Sequence, residues 1–310
     1  DDILDEAVEL SGDARAGGIC AIVAAGVAPC ITNLMAVHAA QQLDEVEQLQ
    51  LGETLMVDFA TGRELTPRQW REDPRDSLAV LPDFTSPDNM WVLQMMLDTG
   101  IRTVRDHRDG RWEDVDPVKS GVDVPLAEGG NLCVRPFVCG APLWGALPAD
   151  LAAMPPVEML FSPFPPQLRE LLCELATRVA DGDIDTNAAM DSLLATVEGD
   201  PDRWLTLPDD YVPTAKTWSR AVGYKDGRLT RSTCSYTAPA GDIGGLFLTT
   251  VALVAAANLI LRGDVTGPGV FAAESVLEPL AFLAECARLV GDSLPEGKLI
   301  NQSVEYLDPA

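Results

Sequence analysis

Residues 18–36 read Gly-Ile-Cys-Ala-Ile-Val-Ala-Ala-Gly-Val-Ala-Pro-Cys-Ile-Thr-Asn-Leu-Met-Ala. From Ile19 to Ala25 the run is apolar without alternation, the pattern of a strand covered on both faces inside a parallel or mixed sheet. Gly26 ends it. Pro29 suits the first turn of a helix, where its missing N–H leaves no partner unused, and the helix is expected from Thr32 to Leu43. The turn between strand and helix is therefore where a ligand would meet backbone N–H groups and the positive end of a helix dipole.

The rest of the chain builds an α/β fold around this unit. Residues 1–15 place Ile3, Leu4, Ala7 and Val8 on one helical face with Gly12 as a stop, and Val46–Leu51 reads as a second strand completing strand-helix-strand. Residues 52–90 are irregular and rich in Pro, Asp and Arg; a helix with a Met-bearing apolar stripe is expected over 91–99. Asp109-Gly110 and Asp226-Gly227, each between strand-like segments, predict two hairpins and hence antiparallel strands. His107, beside the first turn, reads as an exposed strand residue. Residues 131–166 carry many prolines and read as loop and edge strand. Helices at 167–180 and 187–198 form a small helical insertion within 150–205. The acidic stretch 181–187 between them lacks the Gly and Glu that a calcium-binding EF-hand loop requires, and reads as a capped turn. A mixed, partly antiparallel sheet covered by helices follows.

Residues 243–261 contain no charge over nineteen positions, enough for a membrane span by length. With Asn258 inside, many Ala and Thr, and acids among the flanking residues, the segment reads as a buried core helix. The glycines of Gly267-Pro268-Gly269 read as a turn between this helix and a last one ending at Gly291, since the string follows no strand and lacks the acidic residue of a dinucleotide fingerprint.

Charge excludes further classes. The 310 residues hold 22 Lys and Arg against 48 Asp and Glu, a formal charge of −26, which argues against nucleic acid and anionic membrane as partners. Seven cysteines without CxxC spacing imply reduced thiols and a cytoplasmic protein. With only His38 and His107, neither near a Cys in sequence, a zinc site of the usual type is not expected and no metal is assigned. Cys30 reads as a small residue in a glycine-like place; a nucleophile at a helix N-terminus is the alternative, but no His adjoins it. The chain opens at Asp1 without a signal-peptide pattern and reads as a piece of something longer.

The opening run, with its Ala16-Gly17, apolar strand, Gly26-x-x-Pro29 and Asn33 before a helix, resembles the second-domain opening of the saccharopine dehydrogenase family; Cys30 stands where the family has Gly. A second leg lies near the end, in Gly263-Asp264-Val265, Gly269-Val270 and Glu274, with Ala273 in place of the usual Pro. The family's Gly-Leu-Pro and aromatic loop signatures are not found at 52–91. The resemblance implies that residues 1–310 are the substrate and dimerisation domain of a larger NAD(P)-dependent oxidoreductase, acting at a C–N bond of a small amino-acid-derived substrate. NAD or NADP would be held mainly by a domain outside this chain, and a homodimer is expected. It further implies that Gly26, Pro29 and Cys30 border the nicotinamide and that Thr32 and Asn33 offer polar contacts. Arg102, Lys216 and Arg220 are the candidate cations for a substrate carboxylate. No proton donor is assigned. A non-catalytic scaffold retaining the fold is the alternative.

Overall fold

Gly18, at φ 66°, ends the helix α1 (Ser11–Gly17) and turns the chain into β1 (Cys20–Val23). The expected stop at Gly12 is instead the second residue of that helix. The computed structural model describes residues 9–55, 155–163, 166–200, 216–237, 245–265, 267–291 and 299–307. It also describes the strands at 57–58, 63–64, 104–108, 111–115, 122–125 and 131–134, and residues 7, 97, 203 and 204. The helix expected over 91–99, most of the irregular stretch 52–90, Arg102 and the apolar residues at 3, 4 and 8 lie outside that set.

After β1 come α2 (Ile31–Ala40), β2 (Glu45–Leu55), β3 (Val57–Asp58), β4 (Arg63–Glu64), β5 (Val104–Arg108), β6 (Arg111–Val115), β7 (Val122–Pro125), β8 (Asn131–Val134) and β9 (Val157–Pro163). The chain continues through α3 (Pro166–Ala180), α4 (Thr186–Gly199), β10 (Lys216–Lys225), β11 (Arg228–Thr237), α5 (Gly245–Arg262), β12 (Gly269–Ala272), α6 (Ala273–Val276), α7 (Pro279–Val290) and β13 (Asn301–Tyr306). Among the described residues, seven strands form one mixed sheet in the order β13-β11-β10-β2-β9-β5-β6. Of the described pairings within it, β2 with β9 is parallel and the others are antiparallel. The protein is thus α/β, with a partly antiparallel sheet covered by helices.

The strands expected on either side of both Asp-Gly pairs form antiparallel ladders. Asp226 and Gly227 both take positive φ, 53° and 72°, as the tight turn matched to strand twist requires. β10 and β11 pair over their whole length and β5 with β6 over five residues. The insertion is also present as a helix pair, α3 packed on α4. Asp185 caps α4 by accepting 2.8 Å from Ala188 N–H, so part of the acidic stretch serves as a cap.

Three expectations are corrected. β1 does not join β2 in the large sheet: it pairs in parallel with β12, in a separate two-stranded sheet. All four of its residues are half-buried, not covered on both faces. Residues 269–272, read as part of a turn between helices, form that partner strand, with Gly269 N–H donating 2.8 Å to Ile19 O and Val270 N–H donating 3.1 Å to Ser11 Oγ. Parallel pairing is set by tertiary contact and leaves no local turn signal. Third, β9 in the proline-rich stretch is an interior strand between β2 and β5; its prolines stand at its end and just before it, where no ladder N–H is needed.

Alternation divides the large sheet into two faces. Ser219 Oγ donates 2.7 Å to Thr32 O of α2, so Thr217, Ser219 and Ala221 face the helices. Leu49 and Leu51 of β2 stand opposite Ala221 and Ser219, and Cys234 and Tyr236 of β11 opposite Ser219 and Thr217. These residues join α2, α5 and α7 in the main core. Every residue of α2 is buried. α5 is only partly so: Leu248, Val251, Ala252, Ala255 and Leu259 enter the core while Leu253, Val254 and Leu261 are exposed. The expectation of a core helix therefore holds for one side, and among the described residues no helix is long and apolar enough to cross a membrane.

Candidate functional site

The turn after β1 is built on unusual backbone. Ala24 and Cys30 have φ 55° and 111°, and the Ala28–Pro29 bond is cis. Gly26 N–H donates 3.0 Å to Pro29 O, while Ile31 N–H donates 3.1 Å to Gly26 O and Thr32 N–H 2.9 Å to Val27 O. Pro29 thus precedes the helix, which starts at Ile31 and ends at Ala40, short of the expected Leu43. The first two helical N–H groups are taken by carbonyls of the same turn. Gly26, Pro29 and Cys30 lie together in this turn, and Gly26 and Cys30 form an isolated parallel bridge.

Cys30, at φ 111°, occupies a conformation that favours glycine. Its thiol is fully buried. Burial above all pushes its pKa well up, and the negative charge of ionised Cys286 and of Glu274 adds to that, against a bond with the Gly26 backbone. At neutral pH the group is a thiol, and this environment favours the small-residue reading over an activated nucleophile.

Thr32 and Asn33 point into the protein. Thr32 Oγ1 donates 3.1 Å to Asn33 Oδ1, and Asn33 Nδ2 donates 3.0 Å to Glu274 Oε1. All three residues are buried. The pair therefore fastens the start of α2 to α6, and Glu274, which entered the sequence reading only as a motif match, completes the network. The signal that could have found it is its place eleven residues beyond Gly263 in the second leg of the resemblance.

Arg220 lies on the other side of the sheet. Since Ser219 faces α2, Trp218, Arg220 and Val222 face away, along with Gln48, Gln50 and Gly52 opposite them on β2. Thr233 and Ser235 on β11 and Glu158 on β9 share that face. The Arg220 guanidinium stands 5.3 Å from the Trp218 ring centroid, and both residues are buried. Desolvation, then repulsion from Arg231, lowers the Arg220 pKa to about 10 against an opposing pull from Glu305; it remains a cation at neutral pH. The indole lies over Gly52, where a Cβ would come within 2.0 Å of the ring.

The structure therefore separates the candidates. Thr32 and Asn33 lie on the helix-covered face, and Arg220 on the polar face behind it. Lys216 opens β10, and Arg102 lies outside the described residues. Sequence reasoning missed Trp218, Gln48, Gln50 and Glu158; the alternation of Gln48 and Gln50 with Leu49 and Leu51 was the available signal. Among the described residues no cluster of His, Cys, Asp or Glu is arranged to hold a metal ion. In comparisons with known proteins, no family model matches this chain and no curated protein matches it.

Proposed function

We propose that this chain is the substrate-side part of a larger NAD(P)-dependent oxidoreductase of the saccharopine dehydrogenase type, moving a hydride at a C–N bond of an amino-acid-derived substrate. The ladder of β1 and β12 carries the reading. Its strands are apolar and, apart from buried Gly269, half-buried, whereas parallel sheets are covered on both faces and two strands alone are marginal. A nucleotide-binding domain would supply neighbouring strands and bring NAD or NADP to the turn at Gly26, Pro29 and Cys30. Arg220 would meet a substrate carboxylate, with Lys216 and Arg102 as further cations. The assembly would be a homodimer in the cytoplasm, where the five free cysteines among the described residues stay reduced.

A second reading, a scaffold that has kept the fold without its chemistry, is favoured by the side chains of Thr32 and Asn33 being spent on each other and on Glu274. One titration separates the two. NADH and NADPH fluorescence would be followed with the 310-residue chain and with the complete translation product of its gene. Binding by the complete product alone is the expected result. Binding by neither selects the scaffold, and binding by the 310 residues alone overturns the assignment of the nucleotide site to another domain.

A further inference from the structure

β13 closes the large sheet on one side, paired with β11 and, among the described residues, with nothing beyond it. Leu307 N–H donates 2.8 Å to Leu229 O, so Asn301, Ser303 and Glu305 turn their backbone groups toward β11 while Gln302, Val304 and Tyr306 turn theirs outward. Bare edges of this kind are usually blunted by lysine, proline, charge or a bulge. At the other end of the sheet β6 carries Arg111, Glu113 and Asp114 among its five residues. β13 is not guarded in that way. Its sequence is Asn-Gln-Ser-Val-Glu-Tyr, its pairing with β11 has no bulge, and its one charge, Glu305, is already paired with Arg231. Val304, Tyr306 and Leu307 are 39%, 43% and 40% exposed. The edge is also held in shape, since His38 Nε2 lies 3.0 Å from Gln302 Oε1 and the Arg228 guanidinium 3.9 Å from the Tyr306 ring centroid.

We propose that this edge joins β13 of a second copy of the chain, antiparallel about a two-fold axis at Val304, so that the two large sheets continue as one. In that register every outward backbone group of the strand meets another: Gln302 stands opposite the partner's Tyr306, Val304 opposite the partner's Val304, and Tyr306 opposite the partner's Gln302. Glu305 then faces the partner's Ser303. A slip of one pair in one direction would set Glu305 against the partner's Glu305, like charges that repel; a slip in the other carries Tyr306 past the end of the partner strand. This self-complementarity names a second copy as the occupant. The net charge of −26 works against two copies meeting, so the contact should tighten as salt screens it. The inference rests on the reading above for the expectation of a homodimer, and gives that dimer a surface and a register.

Sedimentation velocity over a range of concentrations would follow the complete translation product, with far-ultraviolet circular dichroism to establish that each variant is folded. The wild type is expected to pass reversibly from monomer to dimer, and to do so at lower concentration when sodium chloride is raised. Val304→Pro removes an outward N–H and leaves the ladder with β11 whole; it should stay monomeric. Val304→Lys and Val304→Glu each set like charges at the axis and should each weaken the dimer about tenfold, whereas mixing the two should restore it. The mixture carries the test if the proline variant fails to fold. A wild type that stays monomeric, a dimer indifferent to Val304→Lys, or a mixture no tighter than either variant alone overturns the contact. Nucleotide binding tells this failure from that of the oxidoreductase reading. NADPH binding by a protein whose association ignores Val304 refutes the contact alone, and a Val304-dependent dimer that binds neither NADH nor NADPH upholds the contact and refutes the other.

Discussion

The carboxylate of Glu285 on α7 accepts a hydrogen bond from Nη1 of Arg262 on α5 at 3.0 Å, joining α5 to the helix that packs on α2. Asn258 Nδ2 donates to the same carboxylate at 2.8 Å, and Arg288 donates through Nε and Nη2 at 3.0 and 2.7 Å. The glutamate side chain is 3% exposed while the two arginines are 50% and 61% exposed.

These donors, Arg288 foremost, hold the Glu285 pKa near 2, below the unfolded value of about 4.3. The stabilisation is therefore complete above about pH 5 and is lost as pH falls through 4 toward 2. Glu285→Ala should cost about 1–2 kcal/mol at pH 7, less than a fully buried pair because the exposed arginines rehydrate. Urea melts at pH 7 and pH 3 check this: the difference between wild type and variant should shrink at the lower pH.

Gly52→Ala would set a Cβ 2.0 Å from Trp218 Cε2. The ring is buried, so overpacking of about 1–3 kcal/mol is expected, together with a changed near-ultraviolet circular dichroism signal. Gly223→Ala, whose Cβ would lie 2.0 Å from the backbone oxygen of Glu45, should be the worse of the two, because a backbone atom has less room to yield.

Cys30→Gly should change stability little. It relieves about 1–3 kcal/mol of backbone strain at φ 111° but empties a fully buried site and frees the unfolded chain. Cys30→Val keeps the strain and adds bulk, so it should be clearly destabilising in the same urea melt. In the native wild type, a thiol reagent should reach half-exposed Cys20 well before the buried Cys30, Cys173, Cys234 and Cys286.

The net charge of −26 implies self-repulsion that salt relieves. Between 0.01 and 1 M ionic strength the screening length falls from about 30 to about 3 Å, so the melting temperature should rise with sodium chloride. A fall would mean that ion pairs such as Arg262–Glu285 outweigh the repulsion.

Part of this architecture was legible because its cause is local. Asp226-Gly227 makes its hairpin through what two residues permit at positive φ, and α3 and α4 start and stop on proline, an aspartate cap and nearby turn residues. The α2 turn was placed within a few residues for the same reason. Of the site, Gly26, Pro29 and Cys30 assemble because they are neighbours in sequence.

Long-range pairing decided the remainder. Ile19–Ala25 carries an apolar strand in its residue types alone, but its partner is Gly269–Ala272, nearly the whole chain away, and nothing in either segment names the other. β9 reads as proline-rich connection until β2 and β5 flank it. Arg220 and Asn33 were both candidates by chemistry; which face each occupies depends on Ser219 reaching Thr32 and on strict alternation along β10. Side-chain chemistry and turn propensity act over a few residues and so are written in the chain itself, whereas strand partners and the face of a sheet depend on which surfaces meet, and only the tertiary structure brings those together.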